Sequence, residues 1–157
     1  MRMVGHESLA DVLPQTDGMV LLSGYAPPVS PESVEAWVDI TQGSAFFDVE
    51  AGGVPGCVAL EYMAQAMALS VGLQRRAKAL GPKLGFILGS RRLVISVPHF
   101  RQGCRYRVYA DCTYQDESFG SFDCRILDGQ GTVAATAQLT AFKPEDGQHA
   151  QEMEKYS

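Results

Sequence analysis

A chain of 157 residues, 46% of them hydrophobic, has enough apolar mass for one sizeable core and too little length for two ordinary domains. A formal net charge of −5 argues against the broad cationic footprint that phosphate backbones need, so nucleic acid is not an expected partner. No apolar run in the sequence reads as a membrane span, and Glu7 and Asp11 close behind Arg2 do not resemble a basic-then-apolar leader, so a cytoplasmic protein is expected.

Residues 19–26 and 33–40 are short apolar or alternating runs separated by Pro27, Pro28 and Pro31, which cannot sit inside a sheet ladder. They predict two strands arranged as a hairpin. From residue 54 to about residue 80 the chain is rich in helix formers and apolar on most faces, which predicts one long, largely buried helix. Arg75, Arg76 and Lys78 suit the negative end of that helix, and Gly81-Pro82 ends it.

Four extended segments follow, at residues 83–97, 104–115, 119–127 and 132–143. Turn chemistry at Asp116-Glu117-Ser118 and Asp128-Gly129-Gln130-Gly131 separates the last three, and together they read as an antiparallel meander. Gly85 and Gly89 predict a bend or bulge within the first. Residues 144–157 are polar without a sustained apolar face and read as a mobile tail outside a domain of residues 1–143. Cys57, Cys104, Cys112 and Cys124 form neither a C-x-x-C pair nor a metal-ligand spacing with histidine, so buried reduced thiols are expected, with no metal and no cofactor.

The string Pro55-Gly56-Cys57-Val58-Ala59-Leu60-Glu61-Tyr62-Met63-Ala64-Gln65-Ala66 resembles the 3-hydroxyacyl-acyl carrier protein dehydratase family, which carries Pro-Gly, four mostly apolar residues, an acidic residue and then Ala-Gln. Leu13-Pro14 ahead of Met19-Val20-Leu21-Leu22, the pair Phe46-Phe47, and Pro98 with Gln102-Gly103 fall at matching distances. Tyr62 directly after Glu61, with a shortened preceding loop, looks most like the dehydratase-like proteins of aryl-polyene-type fatty acid synthesis.

The resemblance implies an α+β hot-dog fold, an antiparallel sheet wrapped around one long central helix. It also implies an acyl thioester, on acyl carrier protein or coenzyme A, bound at a dimer interface. In the family a histidine takes the α-proton and an acidic residue of the other subunit assists departure of the hydroxyl. Glu61 matches the acid, and Gly56 stands where a backbone N–H faces the thioester carbonyl. Gln65, one turn beyond Glu61 on the same face, is assigned with Phe47, Val54 and Cys57 to substrate binding.

The family's histidine lies in a Phe-Phe-x-Gly-His-Phe-Pro loop, but this chain reads Phe46-Phe47-Asp48-Val49-Glu50-Ala51-Gly52-Gly53-Val54-Pro55 and has none there. Counted from Phe47, the vacancy falls on Glu50. Gln15 likewise replaces the histidine of the N-terminal Leu-Pro-His, and of His6, His99 and His149 none matches the motif. Two readings follow. In one, the chain is a hydro-lyase with Glu50 or Asp48 as the base, or a thioesterase using Glu61. In the other, it is a silent subunit whose Glu61 serves a histidine-bearing paralogue across a heterodimer interface. Arg75, Arg76, Lys78, Arg91, Arg92, Arg101, Arg105 and Arg107 are either a docking patch for an acidic carrier protein or ordinary solvated faces.

Overall fold

A computed structural model describes residues 9, 12–13, 19–78 and 86–142. The motif-bearing stretch folds as a short strand β3 (Gly53–Pro55), a single 3₁₀ turn (Gly56–Val58) and the helix α1 (Ala59–Ala77). The helix was expected to begin at residue 54, but Pro55 is extended at φ −55° and ψ 141°, so Val54 and Pro55 belong to a strand. At its far end the Lys78 N–H donates to the Arg75 carbonyl in the last turn. Gly81-Pro82, His6, Gln15, His149 and the tail 144–157 lie outside the described residues.

Six strands form one antiparallel sheet: β1 (Gly24–Tyr25), β2 (Ser33–Asp39), β4 (Phe86–Ile95), β6 (Arg105–Gln115), β7 (Phe119–Leu127) and β8 (Val133–Phe142), in the order β1-β2-β6-β7-β8-β4. A separate ribbon pairs β3 with β5 (His99–Arg101). The expected hairpin is present as β1–β2, with the prolines in its connection, although β1 is only two residues long. Backbone bonds from Ser23 N to Trp37 O and from Ala26 N to Glu35 O, both 2.8 Å, extend its ladder.

The meander holds for β6, β7 and β8. β4, expected to be its first strand, pairs instead with β8 at the far edge. The reason lies in β5: before β6 starts, the chain is drawn away to pair with β3 across the helix start. Irregularities between Ile87 and Gly89 and between Arg91 and Val94 supply the expected bend, with Arg92 at φ 54°.

Period-2 alternation turns Val108, Ala110, Phe122, Cys124, Ile126, Ala137 and Leu139 toward α1, all buried. The alanines let the helix approach the sheet closely, while each large fully buried side chain such as Phe122 contributes about 1.5–3 kcal/mol. By length and composition the stretch Gly56–Ala77 is apolar enough to cross a membrane, which the sequence reading had not recognised, but most of it is buried under the sheet as a core helix. Of the cysteines only Cys124 is buried; Cys57 and Cys104 are exposed and Cys112 is intermediate, so the expectation of buried thiols fails for most of them. On the edge strand β4, Leu93, Val94 and Ile95 are exposed in succession.

Candidate active site

The β3–β5 ribbon fixes where α1 begins. Val54 and Phe100 face each other across it, both wholly buried, and a Cβ on Gly53 would lie 2.3 Å from the Phe100 carbonyl oxygen. Val54 therefore belongs to the core and offers no surface to a substrate, contrary to its assignment from the motif. Gly56 is pinned in the same way: a Cβ there would meet the Val97 carbonyl oxygen at 2.2 Å, so only glycine fits under the β4–β5 connection.

The Gly56 N–H donates to the Pro98 carbonyl at 2.8 Å. This overturns the expectation that the Gly56 amide itself receives the thioester oxygen, because its one hydrogen is already engaged. The next amide, that of the exposed residue Cys57, has no backbone acceptor among the described residues and sits at the positive end of the helix. An oxyanion approaching this end of α1 would find that donor first.

Glu61 is in the first turn of α1 and is half-buried. Its Oε1 accepts a hydrogen bond from Gln65 Nε2 at 3.1 Å. Gln65 is wholly buried; its other amide hydrogen goes to the Met19 carbonyl at 2.7 Å, and its Oε1 accepts the Leu21 N–H at 2.9 Å. With both amide hydrogens and Oε1 engaged, Gln65 clamps the segment ahead of β1 onto the helix and orients Glu61. That is a positioning role in place of the expected substrate contact. Glu61 Oε2 has no partner among the described residues.

The loop where the family carries its histidine is a closed turn. The Asp48 N–H donates to the Gly53 carbonyl at 2.8 Å, the Gly52 N–H returns to the Asp48 carbonyl at 2.9 Å, and Asp48 Oδ1 accepts the Glu50 N–H at 3.0 Å. Asp48 is thus occupied in capping its own turn, and Gly52, at φ 72°, supplies the left-handed residue the turn requires. Glu50 lies at the exposed tip next to Val49, which is 82% exposed, so neither carboxylate sits in the dry pocket that a raised-pKa base needs. Phe47 is half-buried against the core, and Phe46, at φ 66°, is turned out to solvent.

His99 lies opposite Pro55 in the ribbon, beside the helix start but on the face away from Val54 and Phe100. Two of the basic residues are spoken for on the outer sheet face. Arg105 makes a bidentate pair with Asp39 at 2.6 and 2.9 Å and lies over the Trp37 ring, and Arg107 approaches Glu35 at 3.9 Å.

The motif reading gave Tyr62 no role beyond marking a subfamily. Its ring packs edge-on to Phe100 with centroids 5.3 Å apart, and it lines a cavity of about 470 Å³ shared with Leu21, Val38 and Ser44. Burial, with Tyr106 adding to it, pushes the Tyr62 phenol up to about 12, so it stays a neutral hydroxyl at physiological pH. Its signal in the sequence was a hydroxyl on an otherwise apolar helix face.

A family model described as ApeP-like, ApeP dehydratase, matches residues 7–154. Among solved structures, the chain is similar to one from the dehydratase heterocomplex ApeI:P of Xenorhabdus doucetiae, at 32% identity and a TM-score of 0.83, covering 92% of this chain and 96% of that one. A hypothetical thioesterase with coenzyme A from Streptococcus pneumoniae is similar at 15% identity and a TM-score of 0.59, covering 76% and 85%. Zebra fish thioesterase superfamily member 2 follows at 11% identity and a TM-score of 0.64, covering 88% and 92%, and these two likenesses concern the fold. No curated protein matches the chain. A central helix under an antiparallel sheet, with an acidic residue in its first turn and an engaged glycine ahead of it, is a hot-dog fold, and the chain belongs to the ApeP-like dehydratase family.

Proposed function

We propose that this chain is the acid-bearing half of a heterodimeric 3-hydroxyacyl thioester dehydratase, acting in the cytoplasm in polyene-type lipid biosynthesis on an acyl carrier protein substrate. The observation that carries the reading is the asymmetry of its site: Glu61 is held in place by Gln65, while the loop that should hold a histidine is a self-capped turn with its carboxylates at the surface. Membership of the family and the likeness to a dehydratase heterocomplex support it.

In this reading a histidine of the related subunit takes the proton from carbon 2. The electron pair moves toward the thioester carbonyl, whose oxygen is met by the Cys57 amide at the helix start. As the C3–O bond breaks, protonated Glu61 gives its proton to the departing hydroxyl, water leaves, and the enoyl thioester remains. The hydrogen bond from Gln65 to Oε1 leaves Oε2 to carry that proton. No metal or cofactor takes part in this scheme. Thioester hydrolysis directed by Glu61 is the second reading, and it rests on the likeness of fold to thioesterases.

The test incubates 3-hydroxyacyl-acyl carrier protein with this chain, with a histidine-bearing paralogue, and with both, following enoyl product and free acid by mass spectrometry. Dehydration by the mixture well above that of the paralogue alone, lost with Glu61→Gln in this chain, supports the proposal. Equal dehydration by this chain alone would sink it, and free acid as the main product would favour hydrolysis.

A further inference from the structure

We propose that the arginine pair Arg91-Arg92, at a bulge on edge strand β4, selects the chain's partner: a related subunit whose own edge strand sets carboxylates opposite the pair and apolar side chains opposite Leu93-Val94-Ile95. The inference rests on the heterodimer reading above and names what that interface recognises. Of the two edges of the sheet, β1 is two residues long, whereas β4 runs for ten, and among the described residues nothing pairs with its outer side. β4 also leads into the site. Ile95 Cγ2 would lie 3.0 Å from a Cβ on Gly56, and the connection that follows covers the start of α1. A strand added to β4 therefore sets its subunit beside the start of the helix, where the missing histidine has to arrive.

The bulge decides where the charges go. Arg91 pairs with Gln138 and Val94 with Thr136, so Arg92 and Leu93 together stand against the single residue Ala137 of β8. In a regular strand Arg91 and Arg92 would point to opposite faces. Arg92, at φ 54°, instead lines a hollow of about 300 Å³ with Thr136 and Gln138. Gln138 is the cross-strand partner of Arg91, so both arginines belong to the sheet face turned away from α1. A left-handed backbone at a residue with a Cβ costs about 1–2 kcal/mol, and bulges at sheet edges commonly re-aim a side chain for use.

Charge fixes the kind of partner. Arg105, Arg107 and Arg125 on the same face pair with Asp39, Glu35 and Asp111. Arg91 and Arg92 are exposed and make no ion pair or hydrogen bond among the described residues; Asp123 shares the hollow with Arg92 without reaching it. A second copy of this chain cannot supply the match, because residues 89–98 contain no carboxylate. Laid antiparallel with apolar run on apolar run, it would set Arg91 and Arg92 against Val97 and Ser96. Self-association then buries the apolar side chains and leaves four guanidiniums unmatched. Carboxylates at those two positions of a related strand add complementary charge to the same apolar contact, which raises specificity and the rate of encounter.

The test measures the Kd of the full chain for the histidine-bearing paralogue by calorimetry, at low and high salt, with Tm of each variant as the control for folding. Arg91→Glu with Arg92→Glu is expected to weaken the complex by at least about tenfold, and the corresponding double lysine variant to stay within about threefold of wild type. Added salt should weaken the wild-type complex and leave that of the glutamate variant unchanged or tighter. Lys78→Glu, past the far end of α1, should bind as wild type; a comparable loss there would trace the effect to net charge and overturn the proposal. Unchanged affinity of the glutamate variant overturns it while the heterodimer reading stands, and the absence of any wild-type complex overturns both. Self-association of the wild-type chain as tight as the complex also overturns it. So does unchanged affinity for the paralogue with a raised KM for the carrier-protein substrate, which would assign the arginines to the carrier protein.

Discussion

Replacing Gly56 with alanine separates a structural glycine from a catalytic one. The added Cβ would lie 2.2 Å from the Val97 carbonyl oxygen, 3.0 Å from Ile95 Cγ2 and 3.3 Å from the Pro98 carbonyl oxygen. Backbone oxygens cannot swing aside as side chains do, so the β4–β5 connection must retreat by about 1 Å, which breaks or stretches the Gly56–Pro98 hydrogen bond. Overpacking of this kind costs about 1–3 kcal/mol and the hydrogen bond about 1 more, so a loss of roughly 2–4 kcal/mol is expected. For a domain of this size that lowers Tm by about 5–15 °C. Urea unfolding followed by circular dichroism measures it directly. Alanine keeps its backbone N–H, so a variant whose stability lies within about 0.5 kcal/mol of wild type would refute the steric argument, whatever its activity.

Gln65→Leu removes three hydrogen bonds from a closed position and strands the Leu21 N–H; a stability loss of about 2–4 kcal/mol is expected in the same unfolding assay, together with a lower kcat for the assembled enzyme as Glu61 loses its orientation. Asp48→Ala should cost about 1 kcal/mol through loss of the turn cap while leaving the pH profile of activity unmoved; loss of the acidic limb, where activity rises as a base loses its proton, would instead restore Asp48 as the base. Tyr62 and Cys124 are both raised to about 12 by burial, so the unfolded chain loses these protons at lower pH than the folded one. Their stabilising effect is therefore full below the ordinary phenol and thiol values and is lost as pH rises toward 12, and Tyr62→Phe should flatten alkaline unfolding monitored by fluorescence of Trp37.

The central helix and the positions of Glu61 and Gln65 were legible because a buried helix writes its composition and its one-turn spacing directly into the chain. The loop was harder: Asp48 followed by glycines is turn chemistry, but a carboxylate at that position reads equally well as a replacement base, and only its hydrogen bond to the Glu50 N–H separates the two. Val54 was misplaced because a three-residue strand pairing only with the equally short β5 leaves no periodicity of its own to read. The same ribbon engages the Gly56 amide, a contact between residues 56 and 98 that no local pattern announces. β4 was recognisable as a strand, but its place beside β8 is a property of the whole topology.

The exposed run Leu93-Val94-Ile95 on edge strand β4 bears on how the protein must be made. Among the described residues nothing pairs with that edge, and an edge with apolar side chains is a template for any strand that meets it, including another copy's. A chain synthesised in excess over whatever covers that edge would therefore stack on itself into insoluble material. Balanced co-production, rather than higher yield, is the route to soluble protein, and a lysine in place of Val94 would trade assembly for solubility.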